Sequence, residues 1–329
     1  MPDYPSSAAS LLAPFRIEPR FVARVWGFTD LRPWYDKVAS DEPLGEVWLT
    51  GDECLVATGP CAGKTLGSVF AEFPQALLGA NAPDASSPLL IKVIFAKEKL
   101  SVQVHPDDRM AQKYGQPRGK TECWYALAAD KGAQVAAGLK PGVTLEQIKG
   151  EIHAGTLESS LHVLEIAAGD MVFVDAGTVH AIWPGSILLE TQQNCDLTYR
   201  MFDYGRAREL HIEKSIEATR LATRAGKIVP RVKKDRTILI DVEYFRVERI
   251  PVEGSRSSTS LVDAGERPGL AYLFAAEGSA TIEGEGFDPV ELPARGIAAV
   301  PAGSPDFTVK NAGGLDLIRM TPNWPGRSQ

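Results

Sequence analysis

The chain reads as mainly β, a sandwich or barrel with few helices. Short runs rich in β-branched, aromatic or alternating residues recur along it, and Gly, Pro and Asp separate them. These runs are Pro88 to Phe95, Leu100 to His105, Glu122 to Ala128, Met171 to Asp175, Ser186 to Gln192 and Leu197 to Phe202. Helical spacing is clearest in two stretches. In the clearer one, Thr144 and Gln147 form a capping-box pattern, Leu145, Ile148 and Ile152 keep one face, and Gly155 supplies a stop. The second is expected over Glu213 to Ala225, followed by Gly226 and the basic cluster Arg231 to Arg236, read as a solvated connection. The boundary is therefore placed near residue 230, with one body over 1–230 and a smaller β domain over 231–329.

Composition narrows the function classes. With 329 residues, 44% of them hydrophobic and 23% charged, the chain has enough apolar material for a sizeable core. A net charge of -7 and no dense Lys/Arg stripe argue against a nucleic-acid partner and leave small molecules as the expected ligands. The longest apolar run, Pro88 to Ala96, is interrupted by Lys92 and is shorter than the roughly 18 residues of a spanning helix, so no membrane span is expected. Asp3, the absence of basic residues before Arg16 and the short apolar stretch Ala8 to Ala13 predict no secretory signal and a cytoplasmic location. Cys54, Cys61, Cys123 and Cys195 form no CxxC pair and read as reduced, buried thiols. Gly59-Pro60-Cys61-Ala62-Gly63-Lys64-Thr65 has three residues between its glycines where a phosphate loop needs four, so no nucleotide site is expected there. Oligomeric state has no signature in the chain.

Two alternating segments carry the chemistry. Successive strand side chains face opposite ways, so Ser101, Gln103 and His105 share one face while Leu100, Val102 and Val104 take the other. Lys120, Glu122 and Trp124 likewise lie on one side, with Thr121, Cys123 and Tyr125 on the other. If both faces line one cavity, they offer an imidazole and oxygen donors to a divalent metal, with a cation for an anionic substrate. Lys92 interrupts an apolar run, so its ammonium must meet an anion or reach solvent at a sheet edge. His153, His162 and His211 read as surface or hydrogen-bonded residues. A faint duplication relates Gly169 to His180 with Gly296 to Asp306, both reading as strand, turn and strand. No histidine follows His211, so one metal centre is expected, in the N-terminal body.

Gly177-Thr178-Val179-His180 resembles the second conserved motif of cupins, double-stranded β-helix (jelly-roll) proteins that hold a metal within the barrel. Leu100 to Asp108, Gly119 to Tyr125, Gly177 to Ile182, Glu190 to Asn194 and Asp196 to Asp203 together resemble type I mannose-6-phosphate isomerases of the short bacterial form. The resemblance implies a cupin-type catalytic body with a few helices, plus a smaller cupin-like β domain without a metal. It implies zinc on Gln103, His105, Glu122 and His180, a mixed N/O set that also suits manganese, iron or cobalt. Ser101, Lys92 and Lys120 become contacts to the substrate or its phosphate, and Glu190 and Arg200 polar groups at the reacting sugar. Arg200 is alternatively a structural partner of Asp196 or Asp203. The implied reaction interconverts mannose 6-phosphate and fructose 6-phosphate through an enediolate. Its proton carrier is open among Glu190, Lys120 and a water activated by the metal. Rival readings are a metal cupin acting on another sugar or an oxidisable substrate, and a non-catalytic sugar-binding regulator. Two positions depart from the family pattern: Asp175 stands where proline is common, and Phe28 replaces the second glycine of Trp-Gly-Gly, which is expected to stiffen a turn.

Overall fold

The computed structural model describes residues 13–36, 39–79, 85–263 and 269–323. The chain divides into two compact units, one formed by Phe21–Val47 and Leu90–Val229, the other by Met1–Arg20, Trp48–Leu89 and Pro230–Gln329. The division differs from the continuous 1–230 body expected from sequence. Residues 48–89, with helices Leu66–Glu72 and Pro74–Leu78, group with the C-terminal strands. Phe15–Ile17 pairs antiparallel with Ile297 to Ala299. A pairing over that separation leaves no local periodicity to read.

In the unit built on Leu90–Val229, a seven-stranded sheet runs in the order Gly226–Ile228, Met171–Val174, Glu122–Ala129, Ser186–Gln193, Leu89–Ala96, Ala39–Trp48, Arg20–Asp30. A five-stranded sheet runs Tyr199–Phe202, Val102–Val104, His180–Ile182, Gln134–Leu139, Leu161–Glu165. Each of the six runs predicted from sequence contains a strand, which covers only Val102–Val104 of Leu100 to His105 and Tyr199–Phe202 of Leu197 to Phe202. Side-chain alternation then sorts the faces. Val102, Val104, Ala181, Tyr199 and Met201 pack outward against Ile148 and Ile152 of the helix Leu145–Ala154. Ile94, Trp124, Val135, Val172, Val174 and Ile182 fill the space between the sheets. Gln103, His105, Glu122 and His180 therefore point toward that interior and not toward solvent.

The helix begins where its cap residue predicts, with Thr144 Oγ1 accepting from the Gln147 amide at 3.2 Å, and it ends at Gly155 with φ +72°. The reciprocal half of the capping box is absent, because the Gln147 side chain donates to Glu151 and Ser160 instead. The second helix is shorter than expected, Ile212–Ala218 in place of Glu213 to Ala225. Thr219 turns its hydroxyl back to the Ser215 carbonyl, and the Arg220 amide donates to the Gly177 carbonyl, so the chain leaves the helix for a tertiary contact.

Two further expectations are corrected. The cluster Arg231 to Arg236 is exposed over its first five residues as expected, but Arg231–Val232 is a strand, and Arg236 is buried and donates to the Leu261 and Ser260 carbonyls. Trp26-Gly27-Phe28 lies inside the strand Arg20–Asp30, so Phe28 stiffens no turn. A Cβ at Gly27 would sit 2.2 Å from the Leu44 backbone, which is why glycine is needed there. The four cysteines are buried and free, and burial pushes the Cys54 thiol up to about 12. Among the described residues no helix is long and apolar enough to cross a membrane.

Candidate active site

Backbone register assembles the site. Gln103 lies opposite His180 on one neighbouring strand and opposite Arg200 on the other. Glu122 opens its strand opposite Val174 and Gln192, which places Glu190 opposite Trp124 one alternation further along. His105 follows Val104, and Pro106 ends the extended run.

The donor atoms of His105, Glu122 and His180 lie within 4.8 Å of one another, all three residues being at most 1% exposed. Each histidine Nε2 is 3.5 Å from a Glu122 carboxylate oxygen. Gln103 joins them with its amide 3.2 Å from His180 Nε2, while Ser101 Oγ donates to Gln103 Oε1. Orientation is fixed from behind. His105 Nδ1 contacts the Leu197 carbonyl at 3.0 Å and His180 Nδ1 the Thr178 carbonyl at 2.9 Å. A carbonyl only accepts, so both Nδ1 atoms carry the proton and both Nε2 lone pairs face the centre. Burial, reinforced by Lys120 and His180, holds the His105 imidazolium well below its ordinary range. Burial likewise lowers His180 to about 4. Both rings are neutral near pH 7, the form that ligates a metal.

Charge at the centre asks for a cation. Glu122 is 1% exposed, and neither carboxylate oxygen completes a hydrogen bond, Oε2 having the Lys120 ammonium as an ion-pair contact at 2.8 Å. Lys120 Nζ also donates to His105 Nε2 at 2.9 Å and lies 3.8 Å from Glu190. Lys92 is 3.1 Å from Glu190, 3.8 Å from Asp196 and 3.9 Å from Glu46. Glu46 is also bonded by Arg24. The carboxylates Glu46, Glu190 and Asp196 gather around Lys92, and Glu122 is met by Lys120. A buried carboxylate met only by the Lys120 ammonium and lying 3.5 Å from two imidazole Nε2 atoms fits a divalent metal.

A cavity of 380 Å³ opens onto this centre, lined among others by Arg24, Glu46, Ser101, Gln103, Arg200 and Arg208. A hollow of 420 Å³ in the other unit, walled by Phe15, Val69 and Phe287, holds no comparable cluster. Burial alone would strip the proton from Lys92, but Glu190, Glu46 and Asp196 outweigh it and keep the ammonium charged. The edge-strand alternative for Lys92 is thereby overturned, since it is 3% exposed. Burial and the neighbouring Glu122 push the Glu190 carboxyl up against the pull of Lys92 and Lys120. Glu190 Oε2 accepts from Trp124 Nε1 at 3.1 Å. Arg200 pairs with neither Asp196 nor Asp203 in the contacts described. Its Nη1 donates to the Glu209 carbonyl and its buried Nε has no partner. Burial, then the like charges of Arg208 and Arg24, weaken its hold on its proton.

Sequence reasoning missed Arg24, Glu46 and Arg208. Glu46 had a signal, a lone carboxylate between Leu44 and Val47 that, like Lys92, needed a partner once buried. His153 and His162 are exposed and His211 accepts from the Arg200 amide, all away from the donor group.

The sequence model for the catalytic domain of type I phosphomannose isomerase matches residues 15–141. A Bacillus subtilis protein named as a probable mannose-6-phosphate isomerase is 35% identical over 257 residues, 73% of this chain and 80% of that protein. A Streptococcus mutans mannose-6-phosphate isomerase is 33% identical over 255 residues, 74% of this chain and 80% of its own length. The crystal structure of a mannose 6-phosphate isomerase from Bacillus subtilis superposes with a TM-score of 0.82 at 31% identity, covering 94% of this chain and 99% of that one.

Proposed function

We propose that this chain, which belongs to the type I phosphomannose isomerase family, interconverts mannose 6-phosphate and fructose 6-phosphate with one zinc ion held by Gln103, His105, Glu122 and His180. The observation that carries the reading is the pair of neutral, backbone-anchored imidazoles aimed at the buried Glu122 carboxylate. When bound, the metal supplies Lewis-acid polarisation of the sugar's carbonyl or hydroxyl oxygens.

The reaction moves a proton between C1 and C2 of the open-chain sugar. Glu190 and Lys120 are the groups placed to carry it. Glu190 is buried with a raised proton affinity, and the Lys120 ammonium stands 3.8 Å from it. Lys92 holds Glu190 in place through the 3.1 Å pair. Arg200 cannot act as a base, and its guanidinium donates to an oxygen of the substrate. General acid–base transfer contributes about 10²–10⁴-fold, so positioning and electrostatics supply the remainder.

Lys92 and Lys120 are already committed to Glu190 and Glu122 at the reacting end. The substrate phosphate, carrying about 1.5 to 2 negative charges at neutral pH, goes to the arginine side of the same cavity, where Arg200 has a buried Nε without a partner, beside Arg24 and Arg208, which pair with Glu46 and Asp203. Ser101 contacts a sugar hydroxyl. The four buried cysteines fit a reducing cytoplasm.

The test is conversion of fructose 6-phosphate to mannose 6-phosphate before chelation, after chelation and after zinc is restored. The expected result is turnover lost with chelation and recovered with zinc. Absence of turnover in the fully metallated protein would overturn the substrate and favour another sugar or an oxidisable molecule.

A further inference from the structure

The turn between Met171–Val174 and His180 is tied down from several sides. Asp175, 8% exposed, accepts from the Thr178 hydroxyl at 2.9 Å through Oδ1 and from the Arg224 amide at 3.2 Å through Oδ2. Arg224 Nε adds a charge contact at 3.6 Å. Thr178 is 1% exposed, and its carbonyl is the acceptor that fixes the His180 ring. The same turn reaches the other donors. The Gly177 amide donates to the His105 carbonyl at 2.9 Å, and the Ala176 amide donates to the hydroxyl of Thr121, the residue before Glu122. From outside, the Arg220 amide donates to the Gly177 carbonyl while the Arg220 side chain pairs with Asp107. Gly177 has φ +88°, and a Cβ there would lie 2.7 Å from the Arg220 side chain, so the clasp depends on glycine at this point.

We propose that Asp175 is a positioning residue for the metal centre. It locks the turn so that the Thr178 carbonyl selects the His180 tautomer, and it ties that turn to the 219–225 segment. Proline at this position would stiffen the turn covalently by fixing φ. Here two hydrogen bonds to one carboxylate do the same work, and they make the geometry of His180 depend on the chain that follows the helix Ile212–Ala218. The proposal rests on the reading of His105, Glu122 and His180 as metal donors. It concerns a residue that touches neither metal nor substrate.

The experiment measures zinc dissociation constants by competition with a chromophoric chelator in the full chain, alongside the nitrogen chemical shifts of the His180 ring. Outer partners of metal-bound histidines are worth about 10–100-fold in affinity. Asp175→Ala is expected to weaken zinc by that factor and to mix the His180 tautomers. Thr178→Val should act comparably, and the double variant should lose no more than the stronger single one, because both break one connection. Asp175→Asn keeps an acceptor for Thr178 but not for the Arg224 amide, so its affinity should fall between those of the parent and Asp175→Ala. It also serves as the variant least disturbed in fold, checked by circular dichroism. Zinc binding within twofold of the parent in Asp175→Ala, with the His180 shifts unchanged, would reduce Asp175 to a stabilising contact and overturn the proposal. If the parent chain itself binds no zinc, the metal reading fails, whereas the tautomer measurement still decides the role of Asp175.

Discussion

The two units share one strand order and differ in what they put inside it. In the C-terminal unit the large sheet runs Phe15–Ile17, Ile297–Val300, Ala271–Glu277, Leu315–Pro322, Phe245–Val252, Thr237–Asp241, Arg231–Val232, which parallels the large sheet of the site-bearing unit strand for strand. Its smaller sheet, Ser255–Ser257, Phe307–Lys310, Ala280–Gly284 and Val290–Leu292, repeats four of the five strands of the other. Register makes the comparison residue by residue. Glu122 faces Val174 as Ala271 faces Val300, and Glu190 faces Trp124 as Arg319 faces Leu273. Ala271 therefore stands for Glu122, and Arg319 for Glu190. Lys92 pairs with Glu190 at 3.1 Å, while Glu248 pairs with Arg319 at 2.7 Å. The buried ion pair is kept with its charges exchanged. In place of His180, Asp306 accepts from the Ser258 hydroxyl. The same framework thus carries a metal-type centre once and a self-neutralised ion cluster once, which shows that the chemistry belongs to a few inward positions and not to the fold.

The comparison can be broken at each of these positions. His180→Ala removes a donor and with it several kcal/mol of Lewis-acid stabilisation. Activity with fructose 6-phosphate should fall by about 10³-fold or more, whereas Asp306→Ala should leave it within about twofold by a coupled kinetic assay. Next in size is the exchanged pair. Glu248 is fully buried and is also approached by Arg246 and Arg236, so Arg319→Met should destabilise its unit by about 3 kcal/mol. Denaturant melts check the loss, with zinc affinity expected to stay at the parent value.

Smaller still is an acid-side effect. Burial would raise the Asp263 carboxyl, but hydrogen bonds from Lys233 and Arg246 outweigh it and hold it at about 2, below its ordinary 3.8. A carboxyl lowered on folding stabilises fully above its unfolded value and loses that contribution as pH falls through the folded one. Asp263→Asn should therefore flatten the melting profile between about pH 4 and pH 2 and change little near pH 7. Thr144→Ala, which deletes a helix cap on the outer face of the site-bearing unit, should cost about 1 kcal/mol and leave turnover at its parent value.

What sequence made legible was local. Thr144, Gly155 and the six strand runs follow from period and turn chemistry over a few residues, and the need of Lys92 for an anion follows from desolvation alone. Gln103, His105 and Glu122 stood out because alternation gathers donors on one face. Glu46 and Arg24 did not, because Glu46 meets Arg24 and Lys92 only when sheet pairing brings three separate strands together. The helix beginning at Ile212 ended early for the same kind of reason, the Gly177 carbonyl lying far off in sequence. The passage of residues 48–89 into the C-terminal unit, too, is decided by long-range packing.

The proposed function puts the isomerase activity on one metal, held in one of two like-ordered units. Zinc stoichiometry measured by equilibrium dialysis, with fructose 6-phosphate turnover recorded at each occupancy, tests it most directly. Expected are one zinc per chain, turnover rising in proportion to occupancy, and loss of both in His180→Ala. Turnover independent of occupancy, or a tightly bound zinc that persists in His180→Ala, would contradict it.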